Sequence, residues 1–349
     1  MRRPLAAAVL AAAAAGMPVA AVAAPPTTGG GDFRLVDSRI GESSGLVLSR
    51  RHPHVVWTAN DSGDSARVFA VDTRTGQTVG VHRFAADVSD VEALAMTPGG
   101  KVLVGDIGDN GAIRPAVRVY SFDEPALGET SGPAESWQLT YPDGSHDAES
   151  LAVNPRTGGA YVVTKAPAGA VYALPVHPSR HSTNRLTKVA AAPSVATDAV
   201  FLADGSALAV RTYLALVLLD GQDFHRVSSG PLPMQPQGET IALAPDGQGL
   251  LAGSEGQHTL VQEVAVPTRT VATPPAAPTT SSRAPAPTVS PASSPPRPVE
   301  AAARPAAVQG GTGTLVVGAV LVTVLLCLVI WGLGRITRRH PRGDHDSPP

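Results

Sequence analysis

Short runs of alternating apolar and polar residues, broken by Gly, Pro and Asp turns, recur along the chain from Glu42 to Glu255. They fall into a module repeated five times: an acidic residue, an apolar stretch, a turn, a β-rich stretch ending in a polar loop, and a further β-rich stretch. The modules start at Glu42, Glu92, Glu149, Asp198 and Glu239, at intervals of 50, 57, 49 and 41 residues. Second strands are predicted at Val55–Ala59, Val102–Gly105, Tyr161–Thr164, Ala207–Val210 and Leu250–Gly253. Third strands follow at Arg67–Asp72, Val117–Phe122, Ala170–Leu174, Leu214–Asp220 and Thr259–Val264. Their β-branched and aromatic content and the turn residues between them are strand signals.

Fourth strands are predicted at Thr78–Phe84, Ser136–Tyr141, Arg185–Val189 and Phe224–Val227, and the fifth module lacks one. Residues Phe33–Ile40 precede the first module and can supply it, closing a ring and removing the exposed edges of an open array. Four-stranded units at intervals near 45 residues predict an all-β fold, a β-propeller over residues 33–266. Five blades fit best; six would follow if the 57-residue interval hid a degenerate unit, and a β-sandwich is the competing architecture.

Outside the repeats the composition changes. Residues 1–24 carry Arg2 and Arg3, an Ala/Val run and a small-residue stretch before two prolines, the pattern of a signal peptide. Residues 267–313 are rich in Pro, Ala, Ser and Thr, unable to bury a core and suited to an extended stalk. Residues 314–334 form an almost continuous apolar stretch, long enough for a transmembrane helix. The arginines of the 335–349 tail place that end in the cytoplasm. These segments predict a single-pass cell-membrane protein with an extracellular propeller.

Charge and cysteine narrow the function. The net charge of −2 shows no basic stripe and argues against a nucleic-acid partner. The one cysteine, Cys327, lies in the apolar stretch, so the propeller has no disulfide. Gly-x-Ser-x-Gly, His-Glu-x-x-His and P-loop motifs are all missing, so hydrolysis would need metal-activated water.

In a propeller, inner-strand starts and the loops between second and third strands meet in one funnel. Glu42, Glu92, Glu149 and Glu239, with Asp106 and Asp109 from a loop, are therefore candidate ligands for Ca²⁺, because hard cations take carboxylate oxygens. Charges roughly 8 Å apart repel by about 2 kcal/mol at an effective dielectric near 20, so such a ring requires compensation. An architectural reading competes: an acid at every strand start can bind backbone N–H groups of the next blade. Residues that break the repeat are the candidate ligand-binding set: Lys165 and Arg211 as a basic side, with Asn60, Asp61, Asp64 and His146. Turn chemistry is the alternative account of the Asp61–Asp64 and Asp106–Asp109 loops.

Asp90-Val-Glu-Ala-Leu-Ala, then Asp106-Ile-Gly-Asp-Asn, Arg114, Tyr120 and Glu124-Pro125, resemble a pattern in uncharacterised exported bacterial propeller proteins. A more distant resemblance is to calcium-dependent lactonase and gluconolactonase-like propellers, and it implies a metal-binding role for Glu42. The chain reads Glu42-Ser43-Ser44 where those proteins have Glu-Gly-Pro. Three functions follow as expectations: a surface-anchored module binding an envelope or extracellular ligand or protein through a charged funnel; a Ca²⁺-dependent hydrolase of lactones or phosphoesters; or a structural interaction scaffold.

Overall fold

A computed structural model describes residues 31–268, which fold into five mainly antiparallel sheets arranged as the blades of a propeller. The segments expected to be a signal peptide (1–24), a transmembrane helix (314–334) and a cytoplasmic tail (335–349), and nearly all of the expected stalk (267–313), lie outside the described residues. Among the described residues no helix is long and apolar enough to cross a membrane.

From the axis outward, blade 1 comprises Ser43–Leu48, Val55–Asn60, Arg67–Asp72 and Thr78–Ala85; blade 2 comprises Val91–Met96, Lys101–Asp106, Val117–Asp123 and Glu135–Thr140. Blade 3 comprises Ala148–Val153, Ala160–Thr164, Ala170–Ala173 and Thr187–Ala191, and blade 4 comprises Ala196–Phe201, Ala207–Thr212, Ala215–Asp220 and Arg226–Pro231. Blade 5 takes Gly238–Leu243, Gly249–Ser254 and Leu260–Ala265 from the end of the domain and Phe33–Arg34 from its beginning. The borrowed strand pairs Phe33 with Val261 and Arg34 with Leu260, so the ring closes as the repeat count requires. Each inner strand contacts the next, and the fifth contacts the first.

The long interval between the second and third modules hides no sixth blade. It holds Gly128–Pro133, which adds to the outer edge of blade 1 in parallel with Thr78–Ala85. A two-residue strand, Asn184–Arg185, similarly extends blade 2.

Successive strand residues point to opposite faces, and both faces of every blade are covered by neighbours, so the strands are apolar on both sides. The core accordingly divides into five clusters, one per blade interface. Trp57 and Phe122 fill the interface of blades 1 and 2; Leu151 and Tyr172 join blade 3 to blade 2; Phe201 and Val163 join 4 to 3. Leu216 and Leu250 join 5 to 4, and Phe69 with Leu35 closes 5 on 1.

Every inner strand carries a register shift near its start. It falls at Gly45, Glu92, Glu149, Thr197 and Glu239, each the extra residue opposite the second strand. A β-bulge re-aims one side chain and bends the strand. The five acidic starts read from the sequence are therefore not equivalent: Glu92, Glu149 and Glu239 are bulge residues, whereas Glu42 lies ahead of the bulge and Asp198 follows it. At Gly45, with φ +74°, a Cβ would stand 2.5 Å from Leu94 N, so no side chain fits at this bulge.

Candidate functional site

The bulges and the loops beside them build the polar end of the propeller in tiers. The bulge tier contributes Glu92, Glu149 and Glu239, all buried. A second tier precedes the strands and is defined by backbone: the carbonyls of Glu42, Asp90, Asp147 and Gln237 accept the N–H groups of Asp61, Gly108, Lys165 and Glu255. Those last four residues sit in the loops after the second strands. Eight carboxylates thus share one end of the axis with a single lysine: Glu42, Asp61, Asp90, Glu92, Asp147, Glu149, Glu239 and Glu255.

Lys165 neutralises one side. Its Nζ lies 2.8 Å from Glu149 Oε1 and 3.9 Å from Glu239 Oε1, over the Tyr213 ring at 5.6 Å. Tyr213 in turn donates its hydroxyl to Glu239 Oε1 at 3.2 Å. The other oxygen of Glu239 is buried without a hydrogen-bond partner. Burial pushes the Glu149 and Glu239 carboxyls upward, and the lysine between them opposes that push.

A second carboxylate group adjoins this one, with Arg114, paired to Asp106, acting on Asp90. Asp61, Asp90 and Glu92 place carboxylate oxygens within 4.8 Å of one another. Burial, and next the charge and contact of Asp61, push Asp90 up to about 7. Glu92 is raised well above the usual carboxylate range by burial, then by Glu149, Asp61 and Asp90, although it accepts the Ser44 hydroxyl at 2.8 Å. Burial followed by Glu239, Asp61 and Glu42 pushes Glu255 up to about 8. Two carboxyls in contact, such as Asp61 and Asp90, hold together by sharing a proton or a cation. Gly108 makes the room, for a Cβ there would lie 2.5 Å from Asp90 Oδ2 and 2.8 Å from Glu92 Cγ.

Several residues picked out in the sequence serve the scaffold here. Asp106 accepts the Asp90 amide at 3.0 Å and Arg114 Nη2 at 2.9 Å, and Asp109 caps the Ile113 and Arg114 amides at 3.0 and 2.7 Å. Asn60 receives the Gly41 and Glu42 amides and donates to Arg39 O and Asp64, while Asp64 also pairs with Arg67 at 2.8 Å. Arg211, 0% exposed, donates to Thr240 O and Gln235 Oε1 between blades 4 and 5, so its guanidinium faces protein. His146 binds Asp143 at 2.9 Å and the Tyr172 hydroxyl at 3.0 Å, in a cluster with Tyr141. Asp198 accepts the amides of Ala199 and, across the blade interface, Ile241 at 2.7 Å, the architectural use of an acid at a strand start.

The funnel thus gathers Glu42, Asp61, Glu92, Glu149, Glu239 and Lys165 from the sequence-derived sets. Asp90, Asp147, Glu255 and Tyr213 join them. A signal for Asp90 and Asp147 was present, since each stands two residues before a module glutamate.

No protein-family model and no curated protein matches the chain. Among solved structures, a gluconolactonase from Xanthomonas campestris, XC5397, is similar over 64% of this chain and 72% of its own, with 13% identity and a TM-score of 0.42. A chain of a mitotic checkpoint complex is similar over 63% of this chain and 60% of its own, with 14% identity and a TM-score of 0.36.

Proposed function

We propose that the chain is a membrane-tethered, cell-surface binding module whose funnel holds a hard divalent cation between Asp61, Asp90 and Glu92. The single observation behind this reading is the cluster of three carboxylates whose oxygens lie within 4.8 Å of one another. At that separation two unit charges repel by about 3 kcal/mol at an effective dielectric near 20, and a divalent ion turns the repulsion into attraction. The donor set fits Ca²⁺, which takes six to eight oxygens in flexible geometry. Three carboxylates supply at most six, which leaves coordination positions for oxygens of an envelope ligand. Lys165, held at Glu149 and Glu239, would meet an anionic part of that ligand. The leader at 1–24, the stalk and the 314–334 stretch support the surface placement.

Calorimetric titration of the full-length protein with CaCl₂ tests the proposal. Saturable binding with a Kd below 1 mM is expected, weakened at least tenfold by Asp90→Asn or Glu92→Gln. An absence of heat, with no rise in melting temperature at 10 mM calcium, overturns it, because an ion specific to the native state must stabilise that state.

A further inference from the structure

The end of the axis opposite the funnel is apolar. Inner strands that start beside the carboxylates finish there at Leu48, Met96, Val153, Phe201 and Leu243, one residue from each blade. These five side chains line a cavity of about 130 Å³ at the hub. Leu48, Met96 and Leu243 are only half-buried, so a solute can reach its wall. Nothing in the cation reading uses this end of the domain.

Only two polar side chains line the cavity, Ser49 and Arg50, and Arg50 is the one charged residue in the wall. Ser49 is buried and donates its hydroxyl to Glu124, which leaves Arg50 to meet a ligand. The Arg50 backbone is held in place, for its amide donates to Glu124 Oε2 at 3.1 Å. Its side chain is exposed, and its guanidinium has neither a hydrogen bond nor an ion pair among the described residues. The neighbouring Arg51, by contrast, donates Nη1 to the Glu124 carbonyl at 2.6 Å. Acids at this end are engaged elsewhere. Both Glu124 oxygens accept donors, and Asp204 and Asp246 hold the amides of their own turns at 2.9 and 2.8 Å.

Volume sets the size of the ligand and the wall sets its chemistry. An engineered cavity of about 150 Å³ lined by Leu, Ile and Phe takes up benzene, so the cavity here accommodates a hydrocarbon group of about six carbons. Met96 can adapt to the shape of that group, because an unbranched thioether fills irregular gaps. A guanidinium fork matches carboxylate and phosphate oxygens, and it selects an anionic head group over a neutral or cationic one. We propose that this mouth of the hub binds a small amphiphilic anion, its hydrocarbon group packed against Leu48, Met96 and Leu243 and its carboxylate or phosphate on Arg50.

Methionine methyl NMR tests this. The chain has four methionines, and Met1 and Met17 fall in the expected leader, which leaves Met96 and Met234 as reporters. Met96 lines the cavity, whereas Met234, 85% exposed in the loop that leads into Gly238–Leu243 at the funnel end, is the internal control. Full-length protein with carbon-13 methionine methyls, in phosphatidylcholine nanodiscs, is titrated with hexanoate, hexyl phosphate, hexanol, hexylamine and acetate. A saturable shift of Met96 alone, with a millimolar Kd, is expected for hexanoate or hexyl phosphate, and the tighter of the two identifies the head group. Hexanol is expected to bind about fivefold more weakly, the worth of an exposed ion pair, and acetate to leave Met96 unmoved. Arg50→Gln, which keeps the backbone bond to Glu124, should bring the anion down to the affinity of hexanol, and Arg50→Glu should make hexylamine the tighter ligand. The proposal is overturned if no compound shifts Met96 saturably, if hexanol matches the anions, if Arg50→Gln leaves anion affinity unchanged, or if Met234 shifts along with Met96.

Discussion

Lys165 bridges two bulge glutamates of different blades, 2.8 Å from Glu149 and 3.9 Å from Glu239. The lysine is held above its ordinary pKa by those two carboxylates against the opposing effect of burial. Glu149 and Glu239 are 3% and 1% exposed, so removing the cation leaves two buried anions without a counter-charge. Lys165→Met is therefore expected to lower stability by about 3–5 kcal/mol at pH 8. At pH 5 the loss shrinks, because the raised carboxyls then protonate. Urea unfolding at the two pH values checks this; equal losses at both would show that the glutamates are not what Lys165 holds.

Raised carboxyls in the funnel make the domain's stability depend on pH. Asp90 is raised from 3.8 to about 7 and Glu255 from 4.5 to about 8, so the folded state binds more protons than the unfolded chain between these limits. Stability then falls as pH rises from about 4 to about 8, since its slope follows the protons bound by the unfolded state minus those bound by the folded state. Calcium bound as proposed at Asp61, Asp90 and Glu92 would displace protons there. Melting temperature in EDTA is expected to fall from pH 5 to pH 8, and 5 mM calcium is expected to reduce the fall. Calorimetry in buffers of different ionisation enthalpy should show proton release at pH 6. Asp90→Asn should flatten the EDTA profile; a profile unchanged by that substitution would place the titration elsewhere.

The blade count and the N-terminal closure were legible because they rest on periodicity, and periodicity survives a sequence as varied as this one. Phe33–Arg34 closes blade 5 because the fifth module lacked an outer strand. The strand Gly128–Pro133 was illegible: Gly-Glu-Thr-Ser-Gly-Pro has neither alternation nor β-branched mass, and only pairing to blade 1 makes it a strand. The site was half legible for a related reason. A carboxylate near a strand start is visible in sequence, but a shift of one residue at a bulge decides whether it enters the funnel, as Glu239 does, or binds backbone amides, as Asp198 does. Arg211 read as a ligand group because it follows a second strand at the funnel loops and breaks the repeat; burial against Gln235 and Thr240 is a tertiary fact.

Glu124 shows how far an apparent signature residue can serve folding alone. It lies at the end of the third strand of blade 2, 1% exposed, and reaches into blade 1. There it accepts the Trp57 indole N–H at 2.9 Å, the Ser49 hydroxyl, and the Arg50 and Arg51 amides at 3.1 Å each. All four partners donate, so the site requires an acceptor with two oxygens. Glutamine keeps the shape but turns an NH₂ group toward donors, losing the bonds on one side and leaving their N–H groups buried. Hydrogen bonds to a charged acceptor contribute about 1.5–3 kcal/mol each, so Glu124→Gln should cost about 3 kcal/mol or more. Trp57 fluorescence should shift to the red as the interface of blades 1 and 2 loosens, while calcium binding in the folded protein should be retained. A Glu124→Gln protein as stable as its parent would mean that the latch contributes nothing net, and blade docking would then rest on the apolar cluster around Trp57 and Phe122.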